Sequence, residues 1–598
     1  MFEIKIIRSP FGDFYHREIE DCNKSYPTWY LKEISSEGFN GIWFHCILRD
    51  IVKSTVFPEF GQKEKEQLYQ LNKLVDRCGK FGIKVYFYLC EPRGFRQEDK
   101  FWKNNPDVKG QIADFGDYAG EFSGKYYALC SSTEKVKNFL YESCYNLFKK
   151  VPGLGGAFLI TASEFHTHCY SHYPKYINLI KHLKEMVEWA KLGFFCKRCE
   201  DREPTQVVSE IIKLIRDGIK DASPKSQVIA WTWSWSIIEP DPQKNLIKNL
   251  PKDVILMSDF ERGGYKFFNK KRYIIDEYSL SYIGPSPRFK KQFYLAKKYG
   301  HKVIAKLQFS TTHELVTVPY IPVIFNFAEK IEKLKKIGGD GYLYCWIFGG
   351  ETNVVSKITG TLSTKNFPKY EVINKIAKQE YGEILSKYVI KAWKIFSNAF
   401  KYYPFSIPFI YNGPINYSTV YPLKIDVPKI GTIPSWRPLP KNKNGYLEIG
   451  DNLETWLDPF PETFYIKGIE KMMKDWKKGI EVMEKGLKNS KNEKFQKEID
   501  IAKHIYFSFA STINIIKFYT TLRKYKKNKN YKGEIIEILK NELEITKEDK
   551  KIWERNKNFG YHPEAAENFI DEKSFNYKIK LLQKQIKSIF GVKPSFFI

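Results

Sequence analysis

The chain has 598 residues, 43% hydrophobic and 16% aromatic, enough to build substantial cores and to exclude a disordered protein. A formal charge of +28 at pH 7 raises nucleic-acid binding, but the lysines are spread along the whole chain and alternate with glutamates on helical stretches. Only Arg523 to Lys532 is a dense basic run, and no nucleic-acid motif accompanies it.

No apolar run approaches a membrane span, and the N-terminus lacks the apolar core of a signal peptide. Most of the ten cysteines sit inside apolar runs, as buried thiols of a reducing compartment do. A cytoplasmic protein without membrane or nucleic-acid partners is expected.

From the N-terminus one theme repeats: a short apolar strand, a polar loop, an amphipathic helix. The first strand is read in Gly38 to Asp50, followed by a helix with Leu68, Leu71, Leu74, Val75 and Cys78 at three- and four-residue spacing. GIKVYFYLCEPRG gives the second strand, KYYALCSS the third, and GGAFLITASE the fourth, ending near Glu164. QVIAWTWSW is the fifth, after a helix with Val208, Ile211, Ile212, Ile215 and Ile219 on one face. DVILMSDFE, HKVIAKLQF and GDGYLYCWIFGG complete eight. Eight continuous apolar strands alternating with helices predict an α/β fold, a (β/α)8 TIM barrel over residues 1–365.

Beyond Phe367 the pattern changes. An irregular Pro-rich stretch from Pro404 to Pro461 precedes a helix carrying Ile466, Ile469, Met473, Trp476, Ile480, Met483 and Leu487. A second helix, about Phe495 to Leu522, is apolar on most faces and reads as buried. Residues 366–598 are therefore expected to form a mainly helical C-terminal domain.

In such a barrel the active site lies at the C-terminal strand ends. The residues there include Arg49, Glu91, Glu164, Trp233, Asp259, Gln308, Glu314 and Trp346. Carboxylates with tryptophan faces suit glycoside hydrolysis, which needs one acid to protonate the leaving oxygen and a second carboxylate to attack or to activate water. Glu164 and Glu314 follow strands four and seven, a placement that resembles the large clan of retaining barrel glycosidases. That resemblance implies Glu164 as acid/base and Glu314 as nucleophile. Arg49, Glu91, His166, His168, Trp233, Asp259, Gln308 and Trp346 are expected to bind substrate, although Glu91 can equally pair with Arg93.

A second constellation adjoins the first. Cys169-x2-His172 and Cys196-x2-Cys199 form two close ligand pairs separated by a helical insertion, the spacing of a structural zinc site. A redox pair or unrelated buried thiols are the alternatives. No organic cofactor is expected.

Taken together, NGIWFHCILRD, FPEFG, KVYFYLCEPRGF, GLGGAFLITASE with HCYSH, CKRC, KLQFSTTHELVTVPYIPV and CWIFGG resemble a largely uncharacterised family of bacterial TIM-barrel proteins assigned as glycoside hydrolases. The segment before Glu314 departs from that pattern, with Ser310-Thr311-Thr312-His313 where the family carries an aromatic. The reading is an exo-acting, retaining glycosidase of oligosaccharides. The alternatives are a substrate-assisted N-acetylhexosaminidase, a non-catalytic carbohydrate-binding barrel and a zinc-dependent hydrolase.

Overall fold

The computed structural model describes residues 1–13, 18–116, 123–162, 164–173, 193–268, 270–425, 433–488 and 492–589. The helical insertion expected between the two ligand pairs lies outside them.

Eight parallel strands close a barrel: β1 (Ile4–Ile7), β2 (Gly41–Cys46), β3 (Lys84–Leu89), β4 (Gly156–Ile160), β5 (Gln227–Trp231), β6 (Ile255–Asp259), β7 (Val303–Lys306) and β8 (Gly341–Leu343). They follow chain order around the ring, and β1 completes it, with Ile4 opposite Gly341 and Ile6 opposite Gly41. A (β/α)8 barrel with a helical region after it is thus the fold.

Two strand assignments change. Ile4–Ile7 opens the barrel, although four residues interrupted by Lys5 and flanked by Glu3 and Arg8 make no readable apolar run. Lys125–Leu129 is not a barrel strand; it pairs antiparallel with Phe95–Arg96 and Lys109–Asp114 in a separate three-stranded sheet inserted between β3 and β4. The two changes offset, so Gly156–Ile160 remains the fourth strand.

Alternate residues along the strands face inward and outward. Phe158 packs within 5.2 Å of Trp43, 5.6 Å of Tyr88 and 6.1 Å of Trp231 (ring centroids), an aromatic layer contributed by β2, β3, β4 and β5. On the other face Phe44 meets Phe87 at 5.0 Å, and Phe87 meets Phe148 at 6.3 Å. Each such buried side chain stabilises the fold by roughly 1.5–3 kcal/mol. Between β4 and β5 the backbones come so close that a Cβ on Gly156, at φ +151°, would lie 1.9 Å from the Gln227 carbonyl oxygen, which only glycine tolerates.

The helices α1 (Thr28–Glu37), α2 (Glu64–Gly79), α3 (Glu134–Lys150), α4 (Pro204–Ala222), α5 (Lys244–Asn249), α6 (Pro287–Lys298) and α7 (Ile324–Ile337) link successive strands. Helix α3 starts at Thr133, whose hydroxyl accepts the Val136 N–H, and α4 starts on Pro204. The two helices pack side by side.

The chain divides into two compact units. The first comprises Met1–Arg262, Pro285–Leu307 and Leu334–Tyr344, and holds the barrel strands. The second comprises Gly263–Gly284, Gln308–Lys333 and Cys345–Ile598, so the division interleaves along the chain.

Within the second unit, α8 (Lys369–Ala399), α9 (Glu462–Leu487), α10 (Glu493–Lys527), α11 (Lys532–Arg555) and α12 (Glu572–Ile589) pack in succession. Helix α10 is buried on most faces. Its buried Glu498 accepts from Trp393 Nε1 at 2.7 Å and from the Tyr381 hydroxyl at 2.9 Å, and Tyr320 donates to it as well. No helix among the described residues is long and apolar enough to cross a membrane.

Candidate active site

Five of the expected residues of the first unit lie at C-terminal strand ends, and their surroundings separate them into two groups. Glu91, after β3, is buried, and its carboxylate accepts the Leu48 N–H at 2.7 Å and the Arg93 N–H at 2.8 Å. Burial raises its carboxyl, while Arg93 and the two amides hold it down. Glu91 therefore ties the turn after β2 to the turn after β3. Arg49 serves the same seam: its guanidinium donates to the Arg93 and Gly94 carbonyls at 3.2 and 3.1 Å and lies 3.9 Å over the Phe95 ring.

Glu164 and Asp259 differ. Glu164 is half-buried, in a turn where its N–H reaches the Ala162 carbonyl at 3.0 Å. Its charge is felt at the barrel interior. Burial pushes the Tyr88 hydroxyl well above its usual range, and Cys90 and Glu164 push the same way. Asp259 ends β6 and is 4% exposed. It accepts Trp231 Nε1 at 3.0 Å and stands 3.6 Å from Arg262. Burial raises its carboxyl above the usual range despite the pull of Arg262 and Trp231. The Arg262 guanidinium in turn lies 3.9 Å over Trp233, which keeps a partly exposed face.

Two groups here were not picked out from sequence, Arg262 and His45; a third, Arg93, was named there only as an ion-pair partner for Glu91. The Arg93 guanidinium contacts His45 Nε2 at 2.8 Å and lies 3.5 Å over Phe165, and the His45 ring stacks on Phe165 and Tyr88. Arg262 lies two residues past the strand-end pair Asp259–Phe260, and Arg93 and His45 lie beside motifs already in view; none has a spacing that marks it.

The two histidines expected to meet substrate are buried in the loop after β4. His166 Nε2 pairs with the Gln111 carbonyl at 2.7 Å, and His168 Nε2 with the Thr161 carbonyl at 2.6 Å. Burial pushes both down to about 4, so both rings are neutral at pH 7. They brace the loop against its own backbone and the inserted sheet.

In the second unit, Gln308 is buried and joins two segments. Its Oε1 accepts the Trp346 N–H at 3.0 Å, and its Nε2 donates to the Thr311 and Phe348 carbonyls at 2.8 and 3.0 Å. Trp346, 38 residues further along the chain, is itself buried, 6% exposed. Glu314 is 0% exposed. Its carboxylate accepts from Ser279 Oγ (2.7 Å), Leu280 N–H (2.6 Å), Ser281 N–H (3.3 Å) and Thr312 Oγ1 (3.0 Å). Such a set of donors holds a loop in place and leaves no lone pair facing outward.

The expected metal-ligand set converges in part. Cys169, Cys196 and Cys199 come together with Cys130, and the four sulfurs lie within 4.8 Å of one another in a buried group that can hold a metal ion. His172 is not in that group: its Nδ1 lies 3.4 Å from His166 Nδ1 and 3.3 Å from Ser171 Oγ, and its ring meets Phe115. The fourth position belongs to Cys130, at the end of the inserted strand Lys125–Leu129.

No protein-family model and no curated protein sequence matches the chain. Solved structures match its fold. A GH138 enzyme targeting pectin rhamnogalacturonan II superposes with a TM-score of 0.54 at 11% identity, over 100% of this chain and 69% of that one. A GH89 enzyme from Clostridium perfringens, in complex with its substrate GlcNAc-alpha-1,4-galactose, superposes with a TM-score of 0.50 at 12% identity, over 100% of this chain and 64% of that one. This chain thus spans about two thirds of each.

Proposed function

We propose that the chain is a glycoside hydrolase of oligosaccharides, exo-acting and retaining, in which Glu164 is the acid/base and Asp259 the second carboxylate. The observation that carries this reading is the grouping of both carboxylates with the Trp233–Arg262 platform at the C-terminal ends of β4, β5 and β6. Neighbouring strands run about 4.8 Å apart, so the ends of β4 and β6 stand roughly 10 Å apart around the ring. Two side chains meeting across that gap would bring the carboxyls toward the roughly 5–5.5 Å that retention requires.

The chemistry follows from the environments. A glycosidase needs one carboxyl able to carry a proton and one able to act as base or nucleophile. Glu164, half-buried and beside the interior Tyr88, can meet a leaving oxygen. Asp259 lies deeper; burial raises its carboxyl, while Arg262 and Trp231 pull toward the ionised form, the form that positive charge developing on the sugar also favours. The Trp233 face supplies an apolar surface for the CH groups of a pyranose. Glu314, expected from sequence as the nucleophile, has its carboxylate turned onto four donors, and the proposal gives it a loop-holding role.

The test is hydrolysis of a panel of nitrophenyl glycosides and pectic oligosaccharides by wild type, Glu164→Gln, Asp259→Asn and Glu314→Gln. The panel includes N-acetylhexosaminides, because the GH89 structure holds an N-acetylglucosamine substrate. Loss in Glu164→Gln and Asp259→Asn, with the first product anomer matching the substrate by NMR, supports the proposal. Comparable loss in Glu164→Gln and Glu314→Gln, with Asp259→Asn active, restores the two-glutamate pair. Loss in Glu164→Gln alone on an N-acetylated sugar indicates substrate assistance. Sugar binding without turnover in every protein returns the non-catalytic reading.

A further inference from the structure

Four cysteines from three separate segments meet in the first unit. Cys130 follows the inserted strand and precedes α3, Cys169 lies in the loop after β4, and Cys196 and Cys199 flank a tight turn before α4. That turn is closed by the Cys199 and Glu200 N–H groups on the Cys196 carbonyl at 3.0 and 3.1 Å. We infer that these four thiolates form a closed structural zinc site that clamps the inserted sheet, the loop carrying Glu164 and the start of α4 to one another.

The distances match the ion. Zinc–sulfur bonds of about 2.3 Å in a tetrahedron require sulfurs about 3.8 Å apart. Cys130 Sγ lies 3.6 Å from both Cys196 Sγ and Cys199 Sγ, and no pair exceeds 4.8 Å. A disulfide would need about 2.05 Å, and all ten cysteines are free.

Donors to sulfur complete the site. Four thiolates around a divalent ion carry a net charge of −2, which a buried site must offset with hydrogen bonds and nearby cations. Here the Gln111 N–H reaches Cys169 Sγ at 3.4 Å, and Arg198 Nε reaches Cys130 Sγ at 3.4 Å. Ser132 Oγ lies 3.1 Å from Cys199 Sγ and itself accepts from Arg202 at 2.6 Å. Two arginines thus stand at the rim. The backbone leaves room for the sulfur: a Cβ on Gly110 would lie 2.8 Å from Cys169 Sγ.

Four protein ligands fill a tetrahedron and leave no open position, so the ion braces and does not react. This separates the site from the proposed chemistry: either can stand if the other fails.

The experiment uses the full chain, expressed in zinc-supplemented medium and purified without chelator. The expected result is about one zinc per chain, kept by Cys144→Ser, a buried thiol outside the cluster, and by His172→Ala, and lost from Cys130→Ser. Should Cys130→Ser fail to fold, two measurements on wild type decide. Titration with a mercurial should release the zinc as about four thiols react, and the cobalt-loaded protein should show the intense thiolate charge-transfer and visible bands of a tetrahedral tetrathiolate. Folded wild type free of zinc, iron in its place, disulfides by mass, or a folded Cys130→Ser that keeps its zinc would each overturn the inference. Loss of zinc from folded His172→Ala would overturn the ligand set.

Discussion

Replacing Asp259 by asparagine separates charge from shape at the barrel mouth. The wild-type carboxylate stands 3.6 Å from Arg262, an attraction on the order of 4 kcal/mol at an effective dielectric of about 20. It also accepts Trp231 Nε1 at 3.0 Å. Burial nevertheless raises its carboxyl above the usual range, so desolvation outweighs both partners. A raised carboxyl keeps its proton in the fold at a pH where the unfolded chain has already lost its own. Its contribution to stability is therefore greatest below the unfolded value of about 3.9 and is lost as pH rises through the folded value. Asparagine has nearly the shape of the protonated acid, keeps an acceptor for Trp231, and has no proton to lose. Relative to wild type, Asp259→Asn should gain in melting temperature across that window and level off above it. On whichever glycoside is cleaved, kcat/KM should fall roughly 10²–10⁴-fold, the contribution of a positioned acid or base. Thermal melts from pH 3.5 upward and initial rates read both. A variant with wild-type kcat/KM, or one that loses stability relative to wild type as pH rises, refutes the reasoning.

Three further outcomes follow from buried groups. Glu314→Gln puts an amide NH2 where a fully buried carboxylate accepts from four donors; a loss of about 2–4 kcal/mol is expected in chemical denaturation, with kcat on the cleaved glycoside within about tenfold of wild type, against the roughly 10²–10⁴-fold loss of a general acid or base. Burial raises the Glu498 carboxyl against its donors Trp393, Tyr320 and Tyr381, so its stabilising contribution falls as pH climbs above about 4.3; Glu498→Gln should lack that part of the pH dependence in melts of the two proteins run side by side. Gly110→Ala places a Cβ 2.8 Å from Cys169 Sγ and 2.9 Å from the Ala128 carbonyl oxygen, an overpacking that should cost about 1–3 kcal/mol in the same denaturation assay.

The barrel was readable because parallel strands buried on both faces are continuous apolar runs, and those of β2 to β8 stand out from the helices between them. What was not readable is pairing. Lys125–Leu129 has the composition of a barrel strand, and only its antiparallel partners upstream, Phe95–Arg96 and Lys109–Asp114, put it in the inserted sheet. The same limit misled the metal reading. Cys169-x2-His172 has the local spacing of a ligand pair, whereas Cys130 has no partner near it in sequence and is delivered by the fold of that inserted sheet.

Carboxylates at strand ends show where the limit falls for catalysis. Sequence places Glu91, Glu164, Asp259 and Glu314 after apolar strands, which is a statement about position only. Their chemistry is set by which donors the folded chain directs at them, most from segments earlier in the sequence. The turns after β2 and β3 bring two backbone amides onto the oxygens of Glu91, and the distant segment Ser279–Ser281 together with Thr312 brings two amides and two hydroxyls onto Glu314. Asp259 instead meets an indole N–H and an arginine that also covers a tryptophan face. A backbone amide is supplied by any residue, so no side-chain pattern announces that a carboxylate is taken up in holding a loop. An arginine above a tryptophan needs those two residue types, and Trp233 and Arg262 were in plain view; what joins them is β5 lying beside β6 in the closed barrel. Side-chain partners on adjacent strands are thus the part of an active site that a correct strand order makes readable, while amide-held carboxylates become distinguishable only once the turns are seen.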